Sequence, residues 1–273
     1  MRLRGAPGSE ISNEELTPHM TRRTLIATVA AAAVEMRAAE PAQRSLFEMR
    51  IFKLRNGPEN QRQRTTAFLK TYVPLAKLAG AGPIGVFSSS VGEDTPYLLT
   101  VTSFKGFADM DACLTKLHAN PEFGKARDEW YAKGRPYERE EVRLLRAFGG
   151  FPVMTPPPTE GRKTSRIFEL RTYELDTSAA LERKIKMFEE GETAIFVRAG
   201  MLPVFFGETV FGPRMPSLMY MLSFDDLAAR ESTGRVSGAD PEWKKLGALY
   251  PDVATVPNLN IVFVSPLAFS DVR

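Results

Sequence analysis

The chain has 273 residues, enough for one large domain or two small ones of roughly 100–150 residues each. Its 43% hydrophobic and 25% charged residues exclude global disorder and a multispan membrane protein. A net charge of +3, with no dense Lys/Arg stripe interleaved with aromatics, gives no footprint for nucleic acid.

Cysteine and histidine narrow the chemistry further. Cys113 has no partner, so there is no disulfide framework or thiolate cluster, and it reads as a small buried hydrophobe. Only His19 and His118 carry imidazole, too few for a multi-histidine metal site. Neither a metal nor a cofactor is expected.

Residues 1–45 form a signal-like segment. Arg22 and Arg23 precede an apolar run from Ala27 to Val34, interrupted by Thr28, and resemble a twin-arginine export signal. Leu25 stands where that signal usually has Phe, and Glu35 and Arg37 blur a cleavage site. The run is too short to span a bilayer, which takes about 20 apolar residues. The expectation is export, to the periplasm, with Met20 an alternative start; an Ala-rich tail of a cytoplasmic protein is the other reading.

Residues 46–148 then read as strand, helix, strand, strand, helix, strand. Residues 46–54 suit a strand, and 59–79 show helical spacing through Phe68, Leu69, Tyr72, Leu75 and Leu78. Gly80-Ala81-Gly82-Pro83-Ile84-Gly85 is literally G-x-G-x-x-G, but it follows a helix and opens a strand, so it is a helix stop and not a phosphate cradle. Strands at 83–91 and 97–104 flank a turn, residues 109–117 and 122–133 are helical, and 140–148 closes the unit. His118 sits at a helix end, where it could act as an acid/base group or ligand, or simply lie on the surface. Residues 149–165 contain Pro156-Pro157-Pro158 and read as a stiff linker.

Residues 166–273 repeat the pattern. Phe47-Glu48-Met49-Arg50-Ile51-Phe52-Lys53-Leu54 returns as Phe168-Glu169-Leu170-Arg171-Thr172-Tyr173-Glu174-Leu175. Ala79-Gly80, Pro83, Pro96 and Ser103-Phe104 return as Ala199-Gly200, Pro203, Pro216 and Ser223-Phe224, and the offset drifts only from 121 to 120 residues. A tandem duplication accounts for that register. Asn120-Pro121-Glu122-Phe123 and Asp240-Pro241-Glu242-Trp243 are helix starts, with an Asn or Asp cap and Pro at the first position. One stretch departs: Met110, Leu114 and Leu117 correspond to Arg230, Gly234 and Ser237. A glycine inside a helix costs about 1 kcal/mol, so residues 231–239 are expected to form a loop or frayed helix.

The βαββαβ order predicts an α+β fold of two tandem ferredoxin-like units that pair their sheets into an intramolecular α+β barrel. Side chains two apart on a strand share a face, which groups Glu48, Arg50 and Phe52, and likewise Glu169, Arg171 and Tyr173. If the helices cover Phe47, Met49 and Ile51, these charged sets point between the sheets and line a small pocket for an acidic or planar ligand. An internal ion-pair network that fixes how the sheets pair is the plainer reading of the same residues.

The repeated Phe-Glu-[Met/Leu]-Arg-x-[Phe/Tyr]-x-Leu opening, the Gly-x-x-Pro turn and the [Asn/Asp]-Pro-Glu-[Phe/Trp] helix start together resemble the NIPSNAP family of the dimeric α+β barrel superfamily. The resemblance covers about 46–148 and 166–266. It implies the paired barrel and association with other proteins, and carries over no catalytic residue. The expected function is a non-catalytic binding or accessory module with a protein partner or a small ligand, able to form homo-oligomers through its helices. The alternative is a cofactor-independent monooxygenase or haem-handling enzyme of the same superfamily using the inter-sheet cavity, which requires an interior cavity of ligand size with His118 or another titratable group pointing into it.

Overall fold

The computed structural model describes residues 43–162 and 164–273; the twin-arginine-like segment lies outside them. The N-terminal half contains β1 (Leu46–Lys53), α1 (Gln61–Ala79), β2 (Ile84–Val91), β3 (Tyr97–Phe104), α2 (Phe107–His118), α3 (Pro121–Tyr131) and β4 (Arg139–Ala147). The C-terminal half follows the same order. It runs β5 (Ile167–Glu174), α4 (Ser178–Met187), a π-helical turn (Phe188–Glu192), α5 (Thr193–Arg198), β6 (Leu202–Phe211), β7 (Ser217–Phe224), α6 (Leu227–Gly238), α7 (Glu242–Leu249) and β8 (Asn258–Pro266).

The eight strands close into one barrel in the order β1-β3-β2-β8-β5-β7-β6-β4. Each half contributes four antiparallel strands, and antiparallel β2–β8 and β4–β6 pairs join the halves. Closure removes the sheet edges, and the helices pack outside. The expected α+β barrel of paired ferredoxin-like units is therefore what forms.

The pleat decides where each side chain goes. Phe47, Met49, Ile51, Phe168 and Leu170 point inward and join a core with Phe87, Leu99, Leu145, Phe205 and Met221. An eight-stranded barrel is just wide enough for its side chains to fill, so its inside selects apolar residues. Leu46 and Phe52 point outward and pack beneath α1, α2 and α3 with Phe68, Leu69, Phe123 and Trp130. Tyr173 and Tyr220 do the same beneath the C-terminal helices.

Local rules are obeyed at the helix ends. Gly80 closes α1 at φ 118° and hands the chain to β2, as a helix stop should. Asn120 caps α3 by accepting from the backbone N–H groups of Glu122 and Phe123. Cys113 is buried, its thiol facing the Ala76 carbonyl.

The expected loop at 231–239 is corrected: α6 is helical to Gly238. Asp226 caps it by accepting from the Ala229 N–H at 2.7 Å, and Glu231 pairs with Arg235 one turn on. A cap is worth about 1 kcal/mol, enough to offset the penalty of Gly234. The missing apolar stripe still shows, because Ser237 is the buried residue of this helix.

The proline-rich connection is pinned to the barrel. The Ser45 N–H donates to Pro152 O and the Thr155 N–H to Val204 O, while Met154 buries its side chain in the barrel core.

Candidate functional site

Glu48, Arg50 and Phe52 occupy the outer, helix-covered face of the N-terminal sheet, not the space between the sheets. The expected inter-sheet placement of these residues, and of Glu169, Arg171 and Tyr173, is corrected. The motif is apolar at both Phe47 and Phe52, so alternation left its direction open. The aromatic-packed end of the barrel decides it, since charge beside Phe47, Phe87, Phe168 and Phe205 has no route to water. On the helix side Arg50 keeps a third of its side chain exposed while Glu48 is 2% exposed.

Above these residues lies a cavity of about 220 Å³. Its floor is Glu48, Arg50 and Thr100; its walls are Phe68 and Tyr72 from α1 with Phe123 and Trp130 from α3. His118 and Arg127, both exposed, stand at its rim. The structure thus brings His118 to the same pocket as Glu48, Arg50 and Phe52.

The polar floor is internally paired. Arg50 donates Nε and Nη2 to the two Glu48 oxygens and Nη1 to Glu140 Oε1 at 2.6 Å. Burial opposes the charge on Arg50, but the hydrogen bonds and charges of Glu48 and then Glu140 more than offset it and hold its pKa above the ordinary arginine value. Tyr137 donates to the other Glu140 oxygen at 3.3 Å. Two carboxylates thus surround one guanidinium, leaving the floor with one net negative charge. Burial pushes the Tyr72 hydroxyl up to about 12, so it stays protonated beside Thr102. Trp130 stacks on Phe68 at 4.0 Å and is anchored by donating Nε1–H to Thr65 Oγ1.

The same face of the C-terminal half is filled. β3 places Thr100 opposite Arg50, and β7 places Tyr220 opposite Arg171. The Tyr220 ring is fully buried, stacks on Phe206 and Phe196, and meets Phe188 edge-on. Its hydroxyl lies 2.6 Å from that of Tyr173 and accepts from Arg171 Nη1 at 3.2 Å. Arg230, where the N-terminal half has Met110, donates to Glu169 Oε2 at 2.6 Å, and Arg171 donates to the other oxygen. Nearby, the buried Lys184 pairs with the buried Glu192 of the π turn at 2.9 Å. Burial raises the Glu192 pKa although Lys184 opposes the shift.

Sequence reasoning missed Glu140 and Trp130, which reach the site from β4 and α3. The Thr100–Tyr220 difference was available from aligning the halves and marks the one that stays open. Among the described residues no cluster of His, Cys, Asp and Glu is arranged to hold a metal ion, and no helix is long and apolar enough to cross a membrane.

Closed barrel, helices outside and two four-stranded halves define a protein of the dimeric α+β barrel architecture. A candidate monooxygenase from Lactobacillus acidophilus shares the fold at TM-score 0.50 and 12% identity, covering 82% of this chain and 94% of its own. One from Fusobacterium nucleatum does so at TM-score 0.52 and 7% identity, covering 83% and 94%. Residues 168–271 match the NIPSNAP family model. A NIPSNAP family protein of unknown function from Agrobacterium tumefaciens is 20% identical and covers 41% of this chain and 97% of its own, at TM-score 0.37. No curated protein is significantly similar in sequence.

Proposed function

We propose that this chain is an exported NIPSNAP-type binding module, built by tandem duplication, whose N-terminal half keeps a ligand pocket that the C-terminal half has filled. The family match over 168–271 supports the NIPSNAP reading, and the shared element order of the two halves supports the duplication. One observation carries the ligand reading: Thr100 leaves open, above Glu48, Arg50 and Glu140, the space that Tyr220 occupies above Glu169 and Arg171. Because Arg50 is held between two carboxylates, Glu48 and Glu140, that outnumber it, the floor attracts donors and cations more than acids. The aromatic walls select a flat ring. At about 220 Å³ the cavity is below the range of about 300–1,000 Å³ typical of drug-sized ligands. The occupant is thus a one- or two-ring aromatic compound, neutral or cationic, with an N–H or O–H donor.

Titrating a Trp243→Phe variant, in which Trp130 is the sole indole, with indole, tyramine and benzoate tests this. Saturable quenching is expected with indole and tyramine and not with benzoate, and Thr100→Tyr should abolish it. Absence of saturable binding, or an unchanged response in Thr100→Tyr, overturns the reading.

A second reading rests on His118 at the rim: a cofactor-independent oxygenase in which its imidazole moves a proton to or from a bound phenol or aromatic amine. Dioxygen consumption with such compounds, lost in His118→Ala, would support it, and no turnover above buffer would remove it.

A further inference from the structure

The barrel interior is packed at one end and hollow at the other. Phe47 meets Phe205 at 5.2 Å and Phe87 meets Phe168 at 5.1 Å, closing one end with four rings. The opposite mouth opens on a cavity of about 500 Å³ drawn from both halves. Its depth is apolar, with Ile51, Leu99, Leu170, Met219 and Val262. Charged residues gather at its rim.

Arg143 stands out among them. It lies opposite Met49 on β4, on the inward side that Leu145 and Ala147 continue into the core. Its Nε is out of contact with solvent and has no hydrogen-bond partner among the described residues. Nη1 reaches only the sulfur of Met219, at 3.6 Å. The other cations of the mouth are all paired: Lys53 with Asp94 at 3.2 Å, Arg139 with Glu141 at 3.8 Å and Arg214 with Glu174 at 3.2 Å. Burial, with Arg214 adding to it and Glu141 opposing, lowers the Arg143 pKa. A half-buried guanidinium without a carboxylate partner loses hydration that an incoming carboxylate would replace. At the matching register of the C-terminal half, opposite Leu170, stands Val262. The mouth therefore offers one acid receptor and not a symmetric pair.

We infer that the open barrel mouth is a second binding site, taking a single-headed apolar carboxylate of the fatty-acid type with its head on Arg143 and its chain between the sheets. A guanidinium donates charge-assisted N–H···O bonds to a carboxylate, and here the terminal nitrogens hold none among the described residues, Nη1 touching only the Met219 sulfur. The volume lies within the range of sites that enclose most of a drug-sized ligand. This site prefers acids, opposite to the aromatic pocket beneath the helices.

Calorimetric titration with decanoate, and with 1-decanol as the uncharged control, tests the assignment. Decanoate should bind saturably at one per chain and at least about tenfold more tightly than decanol, the size expected for one charge-assisted contact. Arg143→Met should lose at least that factor, and Thr100→Tyr should leave decanoate binding unchanged, which separates this site from the aromatic pocket. Equal affinities for acid and alcohol, undiminished binding in Arg143→Met, or no binding to the wild type would each overturn it. Should Arg143→Met not fold, carboxyl-labelled octanoate followed by NMR gives the answer in the wild-type protein. A carboxylate held by Arg143 stays ionised below its free pKa, and one that titrates like the free acid refutes the contact.

Discussion

Replacing Tyr220 by threonine, the residue that its counterpart position carries, tests whether that ring is what closes the C-terminal half. The ring is fully buried against Phe188, Phe196 and Phe206. Truncating a buried aromatic costs about 3–5 kcal/mol through lost transfer energy and the residual cavity. Tyr220→Phe isolates the hydroxyl. It strands the partners at 2.6 and 3.2 Å, Tyr173 and Arg171, at about 1–3 kcal/mol. Against a total stability of about 5–15 kcal/mol, Tyr220→Thr should be strongly weakened but folded, with Tyr220→Phe in between. Urea denaturation with an unchanged slope measures both. Indole should rescue Tyr220→Thr by filling the new space, shifting its midpoint upward with concentration. A loss below about 1 kcal/mol in Tyr220→Thr would refute the claim that the ring fills the site.

Other expectations follow from the same geometry. Thr100→Tyr should remain folded and lose the indole response of Trp130. Lys184→Met leaves Glu192 buried without its partner and should cost about 3–5 kcal/mol, whereas replacing both Lys184 and Glu192 by apolar residues should cost far less. That variant should also be pH-dependent. Burial already raises the Glu192 pKa, and loss of Lys184 raises it further, so the folded state binds more protons than the unfolded one above the ordinary glutamate pKa. Its stability should fall as pH rises from about 4.5 toward the raised value and recover on acidification; a flat urea midpoint from about pH 5 to pH 8 would contradict this. Changing both Arg22 and Arg23 to lysine should hold the protein in the cytoplasm in cell fractionation, and unchanged export would exclude the twin-arginine reading.

The strand–helix order was legible because Gly80, Asn120 and the apolar spacing of α1 obey local rules. The direction of the Glu-x-Arg face was not. Phe47, Met49 and Ile51 compete with Phe52 for burial, and only closure of the barrel tells which face the aromatic end seals from water. Arg143 was similarly hidden, because its isolation depends on which carboxylates other strands bring to the mouth. Glu140 shares the floor with Arg50 although 90 residues separate them, a proximity created by the β1–β4 pairing. At α6, Asp226 is a readable cap, and counting only Gly234 against the helix gave the wrong balance. What the aligned halves did expose is difference at Met110 against Arg230; the Thr100–Tyr220 difference, which marks where one half is open and the other closed, lay in the same alignment unread.

The most direct measurement is native mass spectrometry of the wild-type protein and Thr100→Tyr, each purified from the protein's own host. The wild type should retain one small neutral or cationic aromatic molecule per chain that Thr100→Tyr lacks. The same adduct in both, or none in either, would contradict a ligand pocket beneath the N-terminal helices.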